Sequence, residues 1–264
     1  MIKEYYDSNE FINENKSFLD LNLYMSSFFY LDAPLYDPES SYDYMVKVSN
    51  NDKWLLAMKV SHYNLMIYGD ESLVEELFSY LDYKNYKYEA ILSSIEIGNE
   101  VIRIKPIYTQ EIGMDFMEAK DYTEETSKDI VTLNENDVDE LYELLVKFIK
   151  DCGLNDPIIK EKIYPRIHLY RAIKENGHII SFAQLSKYTD TSYKIAFVYT
   201  KDEYRGKGYA RKVVNSVKNE ILDMGFTATL NVDKKNPISN HLYESLGFKK
   251  VFSQGVYIPK IKEV

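Results

Sequence analysis

The 264-residue chain carries 32 Lys+Arg against 42 Asp+Glu, a net charge of −10, with 45% hydrophobic and 28% charged residues. That acidity excludes a nucleic-acid binder, which needs a basic face for phosphates. One cysteine excludes an internal disulfide, four scattered histidines offer no metal-ligand cluster, and no run reaches the roughly 18 to 20 apolar residues of a membrane span. The start, Met1 to Asp7, has no apolar core of a signal peptide. A cytoplasmic protein without metal, membrane or nucleic-acid partner is expected, long enough for two domains.

The front of the chain opens on a helix with Phe11, Phe18, Leu21, Met25 and Phe28 along its apolar face. Strand-like segments follow at 42–48, 53–60 and 63–68, with Ser49-Asn50-Asn51-Asp52 as a turn between the first two. A helix with Leu73, Val74, Leu77, Phe78 and Leu81 on one side leads to a strand at 88–92 and a closing helix. Asp70 or Ser72 can cap the first of these helices, and Asp70 and Glu71 already occupy its positive end. That turn would repel a pyrophosphate. The polar, charged segment 118–129 reads as a linker.

Charge divides with the chain. Residues before Ser127 hold 10 basic against 24 acidic side chains, and those from Ser127 on hold 22 against 18, so −14 and +4 give the total of −10. The acidic half serves solubility first, and it could favour a cationic substrate.

The second half begins with a short strand at 129–133. A helix from about Asp137, capped by Asn134 or Asn136, follows with Val138, Leu141, Leu145 and Phe148 on one stripe. Cys152-Gly153 ends it, and Asp156-Pro157 caps and starts another helix. Strands at 168–174 and 178–185 are joined through Asn176-Gly177, a hairpin signal. A strand at 193–200 runs into Tyr204-Arg205-Gly206-Lys207-Gly208-Tyr209-Ala210. A long helix with Val213, Val214, Val217 and Ile221 on one face follows. The strand 226–232, a helix 236–246 and a final strand from Phe248, closed near Gly255 or Pro259, complete the chain. Both halves run strands, helix, strand, helix, so two related domains in tandem are expected.

The glycine loop sits where a helix N-terminus offers unpaired N–H groups and partial positive charge to an anion. Gly206 and Gly208 allow close approach, and Arg205, Lys207 and Arg211 add charge. A Walker A loop would need Ser or Thr after Gly-Lys, where Gly208 stands. A dinucleotide fingerprint would need a third glycine where Arg211 stands. On the helix 236–246, Ile238, Leu242 and Leu246 share one side, while Asn236, Asn240 and Tyr243 share the other.

In this order the two segments resemble the coenzyme-A-binding core of the GNAT (GCN5-related) N-acetyltransferases. The family signature Arg/Gln-x-x-Gly-x-Gly/Ala is met at Arg205, Gly208 and Ala210. The resemblance implies an α/β (α+β) fold, a mixed central sheet flanked by helices, twice in tandem. Residues 1–118 would be a degenerate GNAT-like domain, walling the acceptor site or forming a homodimer contact, and 127–264 the catalytic one. It implies that the backbone of Val198, Tyr199 and Thr200 pairs with the pantetheine arm of acetyl-CoA. Arg205, Gly206, Lys207, Gly208, Tyr209, Ala210 and Arg211 would hold the pyrophosphate, and Asn236 and Asn240 would contact the arm. Tyr243 would protonate the departing thiolate, for which a phenol has a suitable pKa.

The implied activity is acetyl transfer to a primary amine, on a small molecule or peptide, by direct attack in a ternary complex. Many family members place a glutamate on the strand before the loop, and 193–200 has no carboxylate. No base is therefore assigned. Glu140 and Glu143 could act through water, whereas Glu203, His241 and Cys152 read as non-catalytic. The alternatives are a non-catalytic acyl-CoA-binding or sensing protein, and an acyltransferase using a longer acyl-CoA.

Overall fold

The computed structural model describes residues 1–153 and 157–260. The chain forms two compact units, one of Met1–Asp115 with the residues from Phe252 on, the other of Phe116–Val251.

The first unit runs β1 (Ile2–Tyr5), α1 (Ser8–Leu19), α2 (Leu23–Asp32), β2 (Tyr44–Asn50), β3 (Lys53–Lys59), β4 (Leu65–Gly69), α3 (Val74–Tyr83), β5 (Ile91–Ser94) and α4 (Ile95–Ile104). Then β6 (Tyr108–Ala119) leads into the second unit. Neighbours β1 to β4 pair antiparallel, and β4 pairs parallel with β5 through Leu65↔Ile91. The expected leading helix is broken at Asp20–Asn22, where the Asn22 side chain accepts from the Tyr24 and Met25 amides and restarts the helix. That break leaves Leu21 in solvent instead of on an apolar face.

The second unit runs β7 (Ile130–Thr132), α5 (Val138–Asp151), β8 (Tyr170–Glu175), β9 (His178–Thr189), β10 (Ser192–Thr200), α6 (Tyr209–Asp223), β11 (Thr227–Asp233), α7 (Pro237–Ser245) and the start of β12 (Lys249–Pro259). Its sheet follows the order β7-β8-β9-β10-β11, with β10 and β11 parallel and the other neighbours antiparallel. The valines and Ile221 of α6 pack with Ile195, Leu230 and Val232 on one face. Val138, Leu141 and Leu145 of α5 pack with Ala172, Ile179 and Phe182 on the other. Asn134 caps the entry to α5 in a capping box with Asp137.

Asp156, expected as a helix cap, lies outside the described residues. From Pro157 the chain makes only the 3₁₀ turns Lys160–Lys162 and Tyr164–Leu169. Pro165 stands in the first turn of the second, where its missing amide leaves no hydrogen bond unmade, and the turn ends where β8 begins at Tyr170.

The units are also divided differently from 1–118 and 127–264. From Phe252 on, β12 counts with the first unit, where Gln254–Tyr257 pairs antiparallel with β5 and Tyr257 enters the core beside Leu77 and Phe78. The polar segment 118–129 is no loose linker either: its first two residues end β6 and the rest is tied down. Asn215 Nδ2 donates to the carbonyls of Glu124 (3.2 Å) and Glu125 (3.1 Å), and Asn219 Nδ2 donates to that of Glu124 at 2.8 Å.

Lys218, fully buried on α6, donates from Nζ to Thr123 Oγ1 at 2.7 Å and to the Leu246 carbonyl at 2.9 Å. Burial pushes its pKa down. Lys218→Ala removes both bonds and leaves a cavity, so a loss of about 3 kcal/mol is expected from denaturant unfolding. A loss below about 1 kcal/mol would make the clasp incidental.

Candidate active site

The parallel ladder between β10 and β11 covers only Ser192↔Thr227, Tyr193↔Ala228 and Lys194↔Thr229. Beyond Lys194 the two strands part. A register shift between Ala196 and Tyr199 accompanies Phe197 at φ +51°, a backbone that a phenylalanine rarely adopts. The extra residue flips the strand's alternation. Ile195 and Val198 face the α6-side core, whereas Phe197 and Tyr199 face the α5 side. The bulge thus bends the end of β10 off β11 while it re-pairs with β9 through Tyr199↔Phe182 and Thr200↔Ser181. Val198 to Thr200 are left with an edge turned from β9 that the ladder to β11 does not reach.

This edge runs into the glycine loop. Gly206 and Gly208 have φ of +76° and +80°, and a Cβ built on either meets nothing within 4 Å. Gly208 is the N-cap of α6 and supplies no side-chain cap, so the leading amides of Tyr209, Ala210 and Arg211 have no capping side chain, and the space beside Gly208 is open. Those amides and the dipole of a 15-residue helix suit a diphosphate.

The three loop cations behave differently from one another. Arg205 turns back on the loop, donating Nε to the Thr200 carbonyl at 3.1 Å and pairing with Asp202 at 2.8 Å. Arg211 donates Nε to Glu124 Oε1 at 2.9 Å and Nη1 to Ser245 Oγ at 2.6 Å. Only Lys207 has no carboxylate partner among the described residues; its ammonium lies 5.2 Å from the centre of the Tyr204 ring.

The turn from β11 to α7 is fixed by its asparagines. Asn236 Oδ1 accepts from the Ser239 amide at 3.0 Å, and Asn240 Nδ2 donates to the carbonyls of Asp233 (2.9 Å) and Asn236 (2.7 Å). The expected division of α7 into two faces is corrected here. Ile238 is 82% exposed, whereas Tyr243 is only 7% exposed and packs with Val232, Leu246 and Phe248. Pro237 opens the helix at a sheet end, where its first turn has no layer to cover Ile238. Tyr243 Oη makes no hydrogen bond among the described residues. Burial pushes the phenol up to about 12, and the nearby Cys152 thiol adds to this. The phenol is therefore protonated, and a proton donor, throughout the neutral range.

The other titratable candidates fall away. Glu140 accepts from Lys201 Nζ at 2.8 Å and from the Ile179 amide at 3.1 Å, a structural clamp between α5 and β9. Glu143, Glu203 and His241 stand in solvent. Burial raises the Cys152 thiol, against nucleophilic use. Sequence reasoning missed the bulge at Phe197 and the polar floor of the cleft, Lys194 and Asn231. No residue type marks the former, and polar strand residues read as solvent-facing.

Residues 138–248 match the Acetyltransferase (GNAT) family. They belong to it. The GNAT region also resembles a [ribosomal protein bS18]-alanine N-acetyltransferase of Haemophilus ducreyi, 28% identical over 138 residues that cover 49% of this chain and 88% of the relative. Among solved structures, a GNAT-family acetyltransferase of Colwellia psychrerythraea aligns with a TM-score of 0.63 at 12% identity, over 98% of this chain and 99% of its own. A GCN5-related N-acetyltransferase of Sphaerobacter thermophilus aligns at 0.59 and 15% identity, over 83% and 80%. At these identities the structures establish the fold, a mixed sheet flanked by helices. The GNAT match over 138–248 makes this region an acyltransferase that uses acetyl-CoA. Among the described residues no helix is long and apolar enough to cross a membrane, and no three His, Cys, Asp or Glu side chains group as a metal site.

Proposed function

We propose that the second unit transfers an acetyl group from acetyl-CoA to a primary amine, on a small molecule or a peptide, by direct attack in a ternary complex. The observation that carries this reading is the unbroken path from the unladdered edge of Val198 to Thr200 into the uncapped N-terminus of α6. Bound acetyl-CoA supplies an activated acyl carbonyl and a thiolate leaving group. Val198 and Thr200 would offer main-chain hydrogen bonds to its arm, as an added strand does. The amides of Gly206 to Arg211 would hold the diphosphate, and Lys207 would balance its charge.

Arg205 and Arg211 act on the protein itself: one ties the loop to the end of β10, the other ties α6 to Ser245 and Glu124. Asn236 and Asn240 fix the start of α7, and so the place from which Tyr243 Oη gives its proton to the sulfur. The acceptor amine loses its own proton to water, since 193–200 carries no carboxylate. The first unit is read as a degenerate GNAT-like domain without cofactor. Its Asp70 caps the turn after β4 by accepting from the Ser72 amide at 2.9 Å, filling the place where an anion would sit.

Tyr243→Phe is expected to lower kcat about 100-fold with the acetyl-CoA Kd within twofold of wild type. Unchanged turnover at saturating substrate would return Tyr243 to a packing role. The missing strand carboxylate favours a second reading, a non-catalytic acyl-CoA sensor. Free-thiol release measured over a panel of amines separates the two, because a sensor binds acetyl-CoA yet shows no acceptor-dependent release.

A further inference from the structure

Two polar groups on the floor of the cleft have no hydrogen-bond or ion-pair partner among the described residues. Lys194 stands where the β10–β11 ladder ends, opposite Thr229 on one side and Ser186 on the other. Its neighbours Tyr193 and Ile195 pack on the α6 side, so Lys194 projects to the opposite face. There its ammonium lies 5.1 Å from the centre of the Tyr188 ring and forms no ion pair among the described residues. Asn231 follows two residues after Thr229 on β11, between Leu230 and Val232 of the α6-side core, and so shares the face of Lys194. Its Oδ1 is buried and accepts from no donor among the described residues. Asp233 comes next on that face and ends the strand.

A half-buried ammonium without an anion and a buried carbonyl oxygen without a donor are both costly. Along one face the order is therefore a cation, an amide acceptor and a carboxylate, laid across the point where β10 and β11 part. One ligand satisfies the first two, with an anionic end toward Lys194 and an N–H toward Asn231 Oδ1, while Asp233 already accepts from the Lys235 amide at 2.8 Å.

Resting on the acetyl-transfer reading above, we propose that the acceptor is a small amino acid, its carboxylate held by Lys194 and its amine hydrogen donated to Asn231 Oδ1. The lone pair of that amine is then left to point between the parted strands. Asn231 is a positioning group here, and Lys194 sets specificity.

The test titrates the coenzyme-A-loaded chain by calorimetry with α-amino acids, β-alanine and 4-aminobutanoate, each beside its carboxamide, and with an alanine-ended peptide amide. Thiol release from acetyl-CoA is followed over the same panel. At least one carboxylate-bearing compound should exceed its carboxamide tenfold or more in affinity and in kcat/KM. Lys194→Met should collapse that ratio to near one with an unaltered acetyl-CoA Kd, and Lys194→Arg should keep part of it. The proposal is overturned if no free acid exceeds its carboxamide, if the peptide amide outbinds every amino acid, or if Lys194→Met weakens both members of a pair equally. Should no amine release thiol at all, the transfer reading fails while the calorimetric ratio still decides the carboxylate site.

Discussion

Gly208→Trp is expected to abolish measurable acetyl-CoA binding, a loss of more than 100-fold or about 3 kcal/mol, with the chain still folded. The glycine holds φ +80°, so any side chain costs about 1–2 kcal/mol of backbone strain. That strain corresponds to a melting-point drop of only a few degrees. No protein atom lies within 4 Å of the added Cβ, so the indole meets no packed neighbour there. The volume it takes is the one a diphosphate needs to reach the α6 amides. Gly208→Ala separates the two effects: it carries the strain with little bulk and should weaken binding about tenfold or less. If the tryptophan variant binds acetyl-CoA as the wild type does, the cradle is not at Gly208.

A large effect on stability is expected in the first unit, at Gly98→Ala. This glycine lies inside α4, and a Cβ there would stand 1.8 Å from Tyr257 Cζ and 2.1 Å from its hydroxyl. The Tyr257 ring is fully buried in the core, so it has little room to retreat, and its Oη has no hydrogen-bond partner among the described residues. Overpacking of this kind costs typically 1–3 kcal/mol and here belongs at the upper end. Trp54, the sole tryptophan, lies on β3, so its fluorescence reports this unit. Its urea midpoint should fall by about 1–2 M. Tyr257→Ala alone should also destabilise, by about 3 kcal/mol or more, through the cavity it leaves. The double variant should be less unstable than the sum, because losing the Tyr257 ring relieves the clash that the methyl at position 98 creates. Additive losses would mean that helix and strand adjust independently.

Much of this was legible in the amino acids. The stripes of Val138, Leu141 and Leu145 and of Val213, Val214, Val217 and Ile221 name the buried sides of α5 and α6 without any structure. Glycines between an apolar strand and an amphipathic helix mark the cradle. Other elements were hidden for physical reasons. β1 is four residues long, α4 carries a glycine where a helix disfavours one, and β6 interleaves Glu111 and Asp115 with its apolar positions. The positive φ of Phe197 is imposed by the sheet around it. The exposure of Ile238 depends on what layer reaches the first turn of α7, which no helical period records. Lys194 and Asn231 escaped notice because strand polarity normally signals water, and here it signals an unfilled floor.

The strand from Gln254 to Tyr257 closes the sheet of the unit that the ribosome makes first. During synthesis the leading half must therefore wait, its β5 edge open, until the whole acetyltransferase region has emerged. A premature stop between Val251 and Gln254 would spare every residue of the cofactor cleft and still leave the earlier half without that strand, exposed to proteases.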